Sequence, residues 1–216
     1  MTVVLILTLL AIVSALFHIR AEYLGPATHV YLFKPLTTIL ILLIAVLAQR
    51  PVSAGYKYLI VAGLLFSLAG DVFLMLPGDR FVAGLVSFLI AHLFYIAAFR
   101  AGASYGWSWG WIAPFALYGV VVFVLLLPHL GAMKLPVLVY VLVILVMAWQ
   151  AWGRWRSTGD TAALLAFIGA ALFVISDSVL AFNRFRGEFA AARALTLATY
   201  FSAQWLIAVS IRPAIG

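Results

Sequence analysis

Apolar runs of about 18 residues or more succeed one another from Met1 to the end of the chain, divided only by short breaks carrying Pro, Gly and charge. No soluble domain fits between them. A surface facing water does not tolerate such a sequence: 67% of the 216 residues are hydrophobic, 9% are charged, and the mean hydropathy is +1.21. In hydrocarbon only helices and closed barrels satisfy the backbone, and runs of this length without period-two alternation predict helices. The expected fold class is therefore all-α, a polytopic membrane protein with a bundle of about eight transmembrane helices. The predicted spans are 2–19, 30–48, 57–77, 81–100, 109–128, 134–152, 160–183 and 189–211, forming a single transmembrane domain over 1–216. The first run lacks a basic leader and a small-residue cleavage site, so it is expected to remain as the first helix.

Let side A hold the N-terminus and side B the first loop. Side A carries Arg50, Lys57, Arg100, Arg154, Arg156 and Arg212; side B carries Arg20, Lys34, Arg80, Lys134, Arg184, Arg186 and Arg193. A split this even gives no orientation by itself. If Lys34, Arg80, Arg184 and Arg193 serve a site, side A is the more basic, which would place the N-terminus in the cytoplasm, at the inner membrane if the cell is bacterial. Trp107, Trp109, Trp111, Trp152 and Trp155 are expected to be interfacial anchors on side A. The net charge of +7 suits such anchoring, anionic headgroups or a phosphate-bearing substrate. The sequence has no cysteine, which excludes disulfides and thiolate catalysis.

Gly70-Asp71 followed by Arg80-Phe81 resembles Ser176-Asp177 followed by Arg184-Phe185. Four helices separate the copies, so they would run the same way through the membrane, as in two parallel four-helix repeats. Chance similarity between apolar segments is the competing reading.

Among six acidic residues, Glu22, Asp79, Asp160 and Glu188 fall in or beside predicted loops, where a charge is solvated. Asp71 and Asp177 each lie about six residues, or roughly 9 Å, inside a helix end on side B. A carboxylate at the centre of a helix costs about 2.5–3.5 kcal/mol on insertion scales, which makes an intramembrane pair a functional candidate. One of the two, held protonated, would act as acid and the other, ionised, as base; which is which is left open. His92 and Tyr95 are i, i+3 on helix 4, the partner of helix 3 across the Pro77-Gly78-Asp79 turn, and are expected to approach Asp71. Arg193, Thr196, Tyr200 and Gln204 make one polar stripe on helix 8. Arg184 follows Asp177 by seven residues on the same face, and Lys34, Thr37 and Thr38 sit at the side B end of helix 2. Past Gln204 and His92 the side A halves read as almost entirely apolar. For each lone polar group the plain alternative is an interhelical hydrogen bond or, for Lys34 and Arg193, snorkelling to the interface. Metal-ligand spacing, phosphate loops, serine elbows and redox fingerprints are all missing from the sequence, so no metal or cofactor and no nucleic-acid partner is expected, and no obligatory protein partner is inferred.

Lys34-Pro35-Leu36, the run Ser67-Leu68-Ala69-Gly70-Asp71-Val72-Phe73-Leu74-Met75-Leu76, Arg80-Phe81 with Gly84, Ala91-His92-Leu93-Phe94-Tyr95, Ser176-Asp177-Ser178 with Arg184-Phe185, and Tyr200 with Gln204 together resemble the lysoplasmalogenase, or YhhN-like, family of eight-helix membrane proteins. The likeness spans almost the whole chain and rests on the order and spacing of the segments. It implies hydrolysis of the vinyl ether bond of a lysoplasmalogen to a fatty aldehyde and a glycerophosphoethanolamine or glycerophosphocholine, with a lysophospholipid substrate, membrane lipids as surroundings and no cofactor. Under it Asp71, Asp177, His92 and Tyr200 are the expected catalytic group, and Lys34, Arg80, Tyr95, Arg184, Arg193 and Gln204 the substrate-binding group. Two other readings remain open: a proton- or ion-coupled transporter using the Asp pair, marked by polar groups continuing to side A, and a hydrolase of another lysolipid. A purely structural membrane protein would leave the Asp pair unexplained.

Overall fold

The computed structural model describes residues 2–102 and 111–212. They form eight α-helices: α1 (Thr2–Leu24), α2 (Ala27–Val46), α3 (Ala54–Met75), α4 (Phe81–Arg100), α5 (Ala113–Leu126), α6 (Lys134–Thr158), α7 (Thr161–Ala181) and α8 (Ala192–Val209), with no strand among the described residues. Six of the helical segments are long and apolar enough to cross a membrane. The seventh candidate, α5, has 14 residues and continues through two short 3₁₀ turns, Leu127–His129 and Gly131–Met133. The eighth, α8, carries the polar stripe. Leu9 and Val13 on α1 and Leu117, Val120 and Val124 on α5 are all at least half exposed, an outer surface suited to lipid and not to water. The chain is an integral membrane protein.

Several boundaries move from the expected ones. Arg20 and Glu22, placed near a loop by sequence, lie within α1, which runs on to Leu24, and α6 runs on to Thr158 before Gly159 ends it in a left-handed conformation (φ 68°). Ser53 caps α3 by accepting from the Tyr56 amide, and Asp160 caps α7 by accepting from Ala163. Past Ala181, α7 widens into a π turn, Phe182–Arg186. The tight α3–α4 turn holds Gly78 and Asp79 at φ 88° and 47°. Pro35 is accommodated inside α2, where the nearby Phe33 carbonyl accepts from both Thr37 (2.7 Å) and Ser14 on α1 (3.3 Å).

α3 lies close against α4, and α7 against α8, because small residues occupy the crossings. A β-carbon added at Gly63 would sit 2.2 Å from the Tyr95 ring, and one at Gly70 would sit 2.6 Å from Phe88. α2 packs on α8, and α4 on α6. If α1–α4 correspond to α5–α8, these are one contact made twice, the pattern expected of two parallel halves. The ends of the repeated motif meet as well: the Phe81 and Phe185 rings lie edge to face with centroids 5.6 Å apart.

On side A, Trp152 stacks edge-on against Trp155 (5.1 Å) and lies 6.0 Å from Trp111, with Arg156 over the Trp111 and Trp152 rings. Trp107 and Trp109 lie outside the described residues. Arg154, expected to be one more interfacial charge, is instead buried. It donates to the carbonyls of Phe99 (3.3 Å) and Ala101 (2.9 Å) at the end of α4 and lies over the Tyr56 ring at 4.7 Å. Charged donors at helix-terminal carbonyls are worth about 1.5–3 kcal/mol each. Arg154→Met is therefore expected to lower stability by about 3 kcal/mol, read as a drop in Tm of several degrees for the detergent-solubilised protein; an unchanged Tm would show that the contact contributes nothing.

Candidate active site

Asp71, near the side B end of α3, is 1% exposed. Its Oδ2 accepts from Thr38 on α2 (2.6 Å) and from Tyr200 on α8 (2.8 Å), and its Oδ1 lies 3.9 Å from the Lys34 ammonium. Three helices thus meet on one carboxylate. Both negative oxygens face a donor or a cation, which is how a charge is kept inside hydrocarbon. Asp177, on α7, has a different setting. Its Oδ2 accepts from the hydroxyl of Tyr140 on α6. It borders a narrow apolar pocket of about 60 Å³ whose walls include Leu85, Val122, Ile144 and Val174. Each Asp therefore takes a hydroxyl from the helix that precedes its own, Thr38 on α2 for Asp71 and Tyr140 on α6 for Asp177.

A run of rings connects the two settings. Tyr200 packs against Phe88 (5.7 Å) and Phe173 (5.5 Å), Phe173 against His92 (4.6 Å), and His92 against Tyr140 (5.3 Å). His92 and Tyr95 were expected to approach Asp71, but neither bonds it. His92 sits between Tyr140 and Phe173, with no hydrogen bond at either ring nitrogen among the described residues. Tyr95 donates to Gln204 (2.7 Å) and lies 3.4 Å from Ser67. Gln204 Nε2 has no partner among the described residues. His92 and Gln204 are both fully buried, so their unused polar atoms are costly unless they order water.

Above the carboxylates, on side B, opens a cavity of about 540 Å³ lined by Lys34, Arg80, Arg184, Arg186 and Arg193 among others, with Glu22, Asp79 and Glu188 interspersed. Leu74, Phe81, Leu180 and Phe185 line both this mouth and the apolar pocket beside Asp177, so the two are neighbours across a shared wall. The cations of the mouth are not equivalent. Arg184 is held by Asp79 at 2.6 Å and covers the Phe81 ring at 5.1 Å; Arg193 lies 3.7 Å from the Glu22 carboxylate and 3.2 Å from the Glu22 carbonyl. Arg80 and Arg186 have no ion-pair partner among the described residues. The sequence reading did not single out Arg186, Asp79 or Tyr140. Tyr140 carries the same signal as the residues that were found, a polar tip within the apolar run Val137–Val143.

Toward side A some buried polar groups find partners, while Trp152 Nε1 and Arg212 Nε have none among the described residues. Tyr56 bonds Ser210 (2.8 Å), and Arg154 binds the α4 carbonyls. These side A halves are less uniformly apolar than expected. Fully buried Ile60 and Leu64 on α3, Phe99 on α4 and Ile207 on α8 nevertheless lie between this layer and the Ser67–Tyr95–Gln204 group. The site opens to one side.

No solved structure matches this chain. The protein is 32% identical over 198 residues to a membrane protein named YhhN from Escherichia coli O157:H7, a match covering 92% of this chain and 94% of that protein. It is 37% identical over 167 residues to human lysoplasmalogenase TMEM86A (70% of this chain, 64% of that protein). It is 33% identical over 175 residues to mouse lysoplasmalogenase TMEM86B (80% and 71%). The model of the YhhN family matches residues 29–211, a stretch that holds Lys34, Asp71, Tyr140, Asp177 and Tyr200, and the chain belongs to that family.

Proposed function

We propose that this protein is a membrane-embedded ether hydrolase that cleaves the vinyl ether bond of alkenyl lysophospholipids, releasing a fatty aldehyde and a glycerophospho-base. The observation that carries the reading is the pair of intramembrane carboxyl groups beneath a cation-lined mouth and beside an apolar pocket, in a chain whose relatives include proteins named lysoplasmalogenase. The substrate has three matching parts: a phosphate for Arg80 and Arg186, an acid-labile double bond for the carboxyl groups, and a hydrocarbon chain for the apolar wall and the bilayer.

The chemistry needs no electrophile stronger than a proton. Protonating the β-carbon of a vinyl ether gives an oxocarbenium ion, and water adds to it to form a hemiacetal that falls apart into aldehyde and alcohol. A positioned acid and base contribute about 10²–10⁴-fold to such a step. Purified protein in detergent should therefore release fatty aldehyde from 1-alkenyl lysophospholipid and leave the saturated 1-alkyl analogue intact, since the latter has no double bond to protonate. Release of fatty acid from 1-acyl lysophospholipid, with no aldehyde from the alkenyl compound, would move the protein to another class of lysolipid hydrolase. Arg80→Gln and Arg186→Gln are each expected to raise KM about tenfold with little change in kcat, the signature of lost headgroup binding; a fall in kcat at constant KM would remove these residues from the phosphate site.

A further inference from the structure

The two carboxyl groups sit in unlike surroundings, and on the ether-hydrolase reading we infer that Asp177 delivers the proton to the vinyl β-carbon while Asp71 receives the proton of the attacking water. Asp71 Oδ2 takes two hydroxyl donors, and its Oδ1 faces the Lys34 ammonium at 3.9 Å. That is the dressing of an anion. Asp177 has one hydroxyl donor among the described residues, Tyr140, bound at Oδ2, and it faces a pocket walled mainly by Leu, Val, Ile and Phe side chains, where the Tyr118 and Ser178 hydroxyls pair with each other at 2.8 Å. An anion there would have little to replace the water it gave up, whereas a neutral carboxyl group is at home. With Oδ2 occupied by Tyr140, Oδ1 is the oxygen left to carry a proton toward the pocket.

Position agrees with this division. Lys34, beside Asp71, lines the aqueous mouth, and Asp177 lines the apolar pocket. A lysolipid with its phosphate in the mouth and its chain in the pocket brings its first chain carbons to Asp177 and leaves the mouth, the source of water, on the side of Asp71. In the first step the Asp177 O–H bond breaks, the double-bond electrons form a C–H bond at the β-carbon, and the ether oxygen shares the resulting positive charge. Water then bonds to the α-carbon and gives a proton to Asp71. In the last step the hemiacetal hydroxyl returns a proton to Asp177, its C–O bond to glycerol breaks, and Asp71 hands its proton to the departing glycerol oxygen. One water is consumed and both carboxyl groups are restored. Tyr140 is a positioning residue, fixing which Asp177 oxygen is free.

Azide separates the two roles, because it adds to an oxocarbenium ion without needing a base. The Asp71→Ala and Asp177→Ala variants, with Asp71→Asn and Asp177→Asn alongside in case the alanine forms fail to fold, are incubated with 1-alkenyl lysophospholipid and sodium azide. Products are read by mass spectrometry. The expected result is an α-azido ether from the Asp71 variants, with azide raising substrate consumption at least about tenfold, and none from the Asp177 variants. An azide adduct from the Asp177 variants alone, or from neither set of folded variants, overturns the assignment. Tyr140→Phe should lower kcat about tenfold at unchanged KM without altering the azide adduct pattern of the Asp71 variants; a rise in KM alone would make Tyr140 a substrate contact instead. Wild-type protein that releases no aldehyde in the same assay defeats the ether-hydrolase reading itself, which keeps the two failures apart.

Discussion

Asp71→Asn and Asp177→Asn are each expected to lower aldehyde release by about 10²–10⁴-fold, the range that one positioned acid or base contributes, while most of the protein remains folded. The amide is close in size to the carboxyl group. At position 71 its carbonyl oxygen still accepts from Thr38 or Tyr200, but the cation at Lys34 loses its counter-charge, so a stability loss of about 1–3 kcal/mol accompanies the loss of activity. At position 177 the one hydrogen bond among the described residues comes from the Tyr140 hydroxyl, to which an amide oxygen is an acceptor as well, and the folded yield should be closer to wild type. Rates from alkenyl lysophospholipid, paired with gel-filtration profiles of the same preparations, check both statements. Either variant retaining most of its activity would remove that carboxyl group from the chemistry.

Gly63→Val is expected to impair folding, with a loss of about 3 kcal/mol and a marked fall in monodisperse protein after detergent extraction. The new β-carbon would stand 2.2 Å from the ring of Tyr95, which is fully buried, donates to Gln204 and lies in contact with Phe99 and Phe173. The ring has no free space into which to turn, so α3 and α4 would have to separate. Gly55→Ala on the same helix is the control, because a β-carbon there meets nothing within 4 Å. Equal yields of the two variants would show that the close approach of α3 and α4 is not what the glycine protects.

The all-helical membrane fold and most of the polar residues gathered at the candidate site are legible in the sequence for one physical reason: in a chain this apolar, an interior polar residue is costly and therefore conspicuous. Lys34, Asp71, His92, Tyr95, Asp177, Tyr200 and Gln204 stand out in this way. Their pairing does not. Tyr200 and Asp71 are 129 residues apart, and whether Tyr95 reaches Asp71 or Gln204 depends on the rotation of α4 against α8, a property of packing that no local spacing encodes. Tyr140 passed unnoticed because a single tyrosine among valines and leucines reads as one more apolar ring. Arg154 read as an anchor because nothing near it in the chain reveals that the last carbonyls of α4 lie beside it. Asp79 reads as a solvated loop charge and Arg184 as a headgroup contact on the face of Asp177, and only the closing of the α3–α4 turn over the π turn after α7 makes them an ion pair.

On the proposed mechanism, cleavage starts with proton delivery to carbon inside the membrane. The most direct measurement is the isotopic content of the aldehyde released from 1-alkenyl lysophospholipid by purified protein in deuterated water enriched in ¹⁸O, with the aldehyde trapped by reduction as it forms. The expected product carries one deuterium on the carbon next to the carbonyl and water-derived ¹⁸O in the trapped alcohol, above the level of an enzyme-free control. Aldehyde without deuterium at that carbon, or product whose oxygen comes from the original ether, would contradict it.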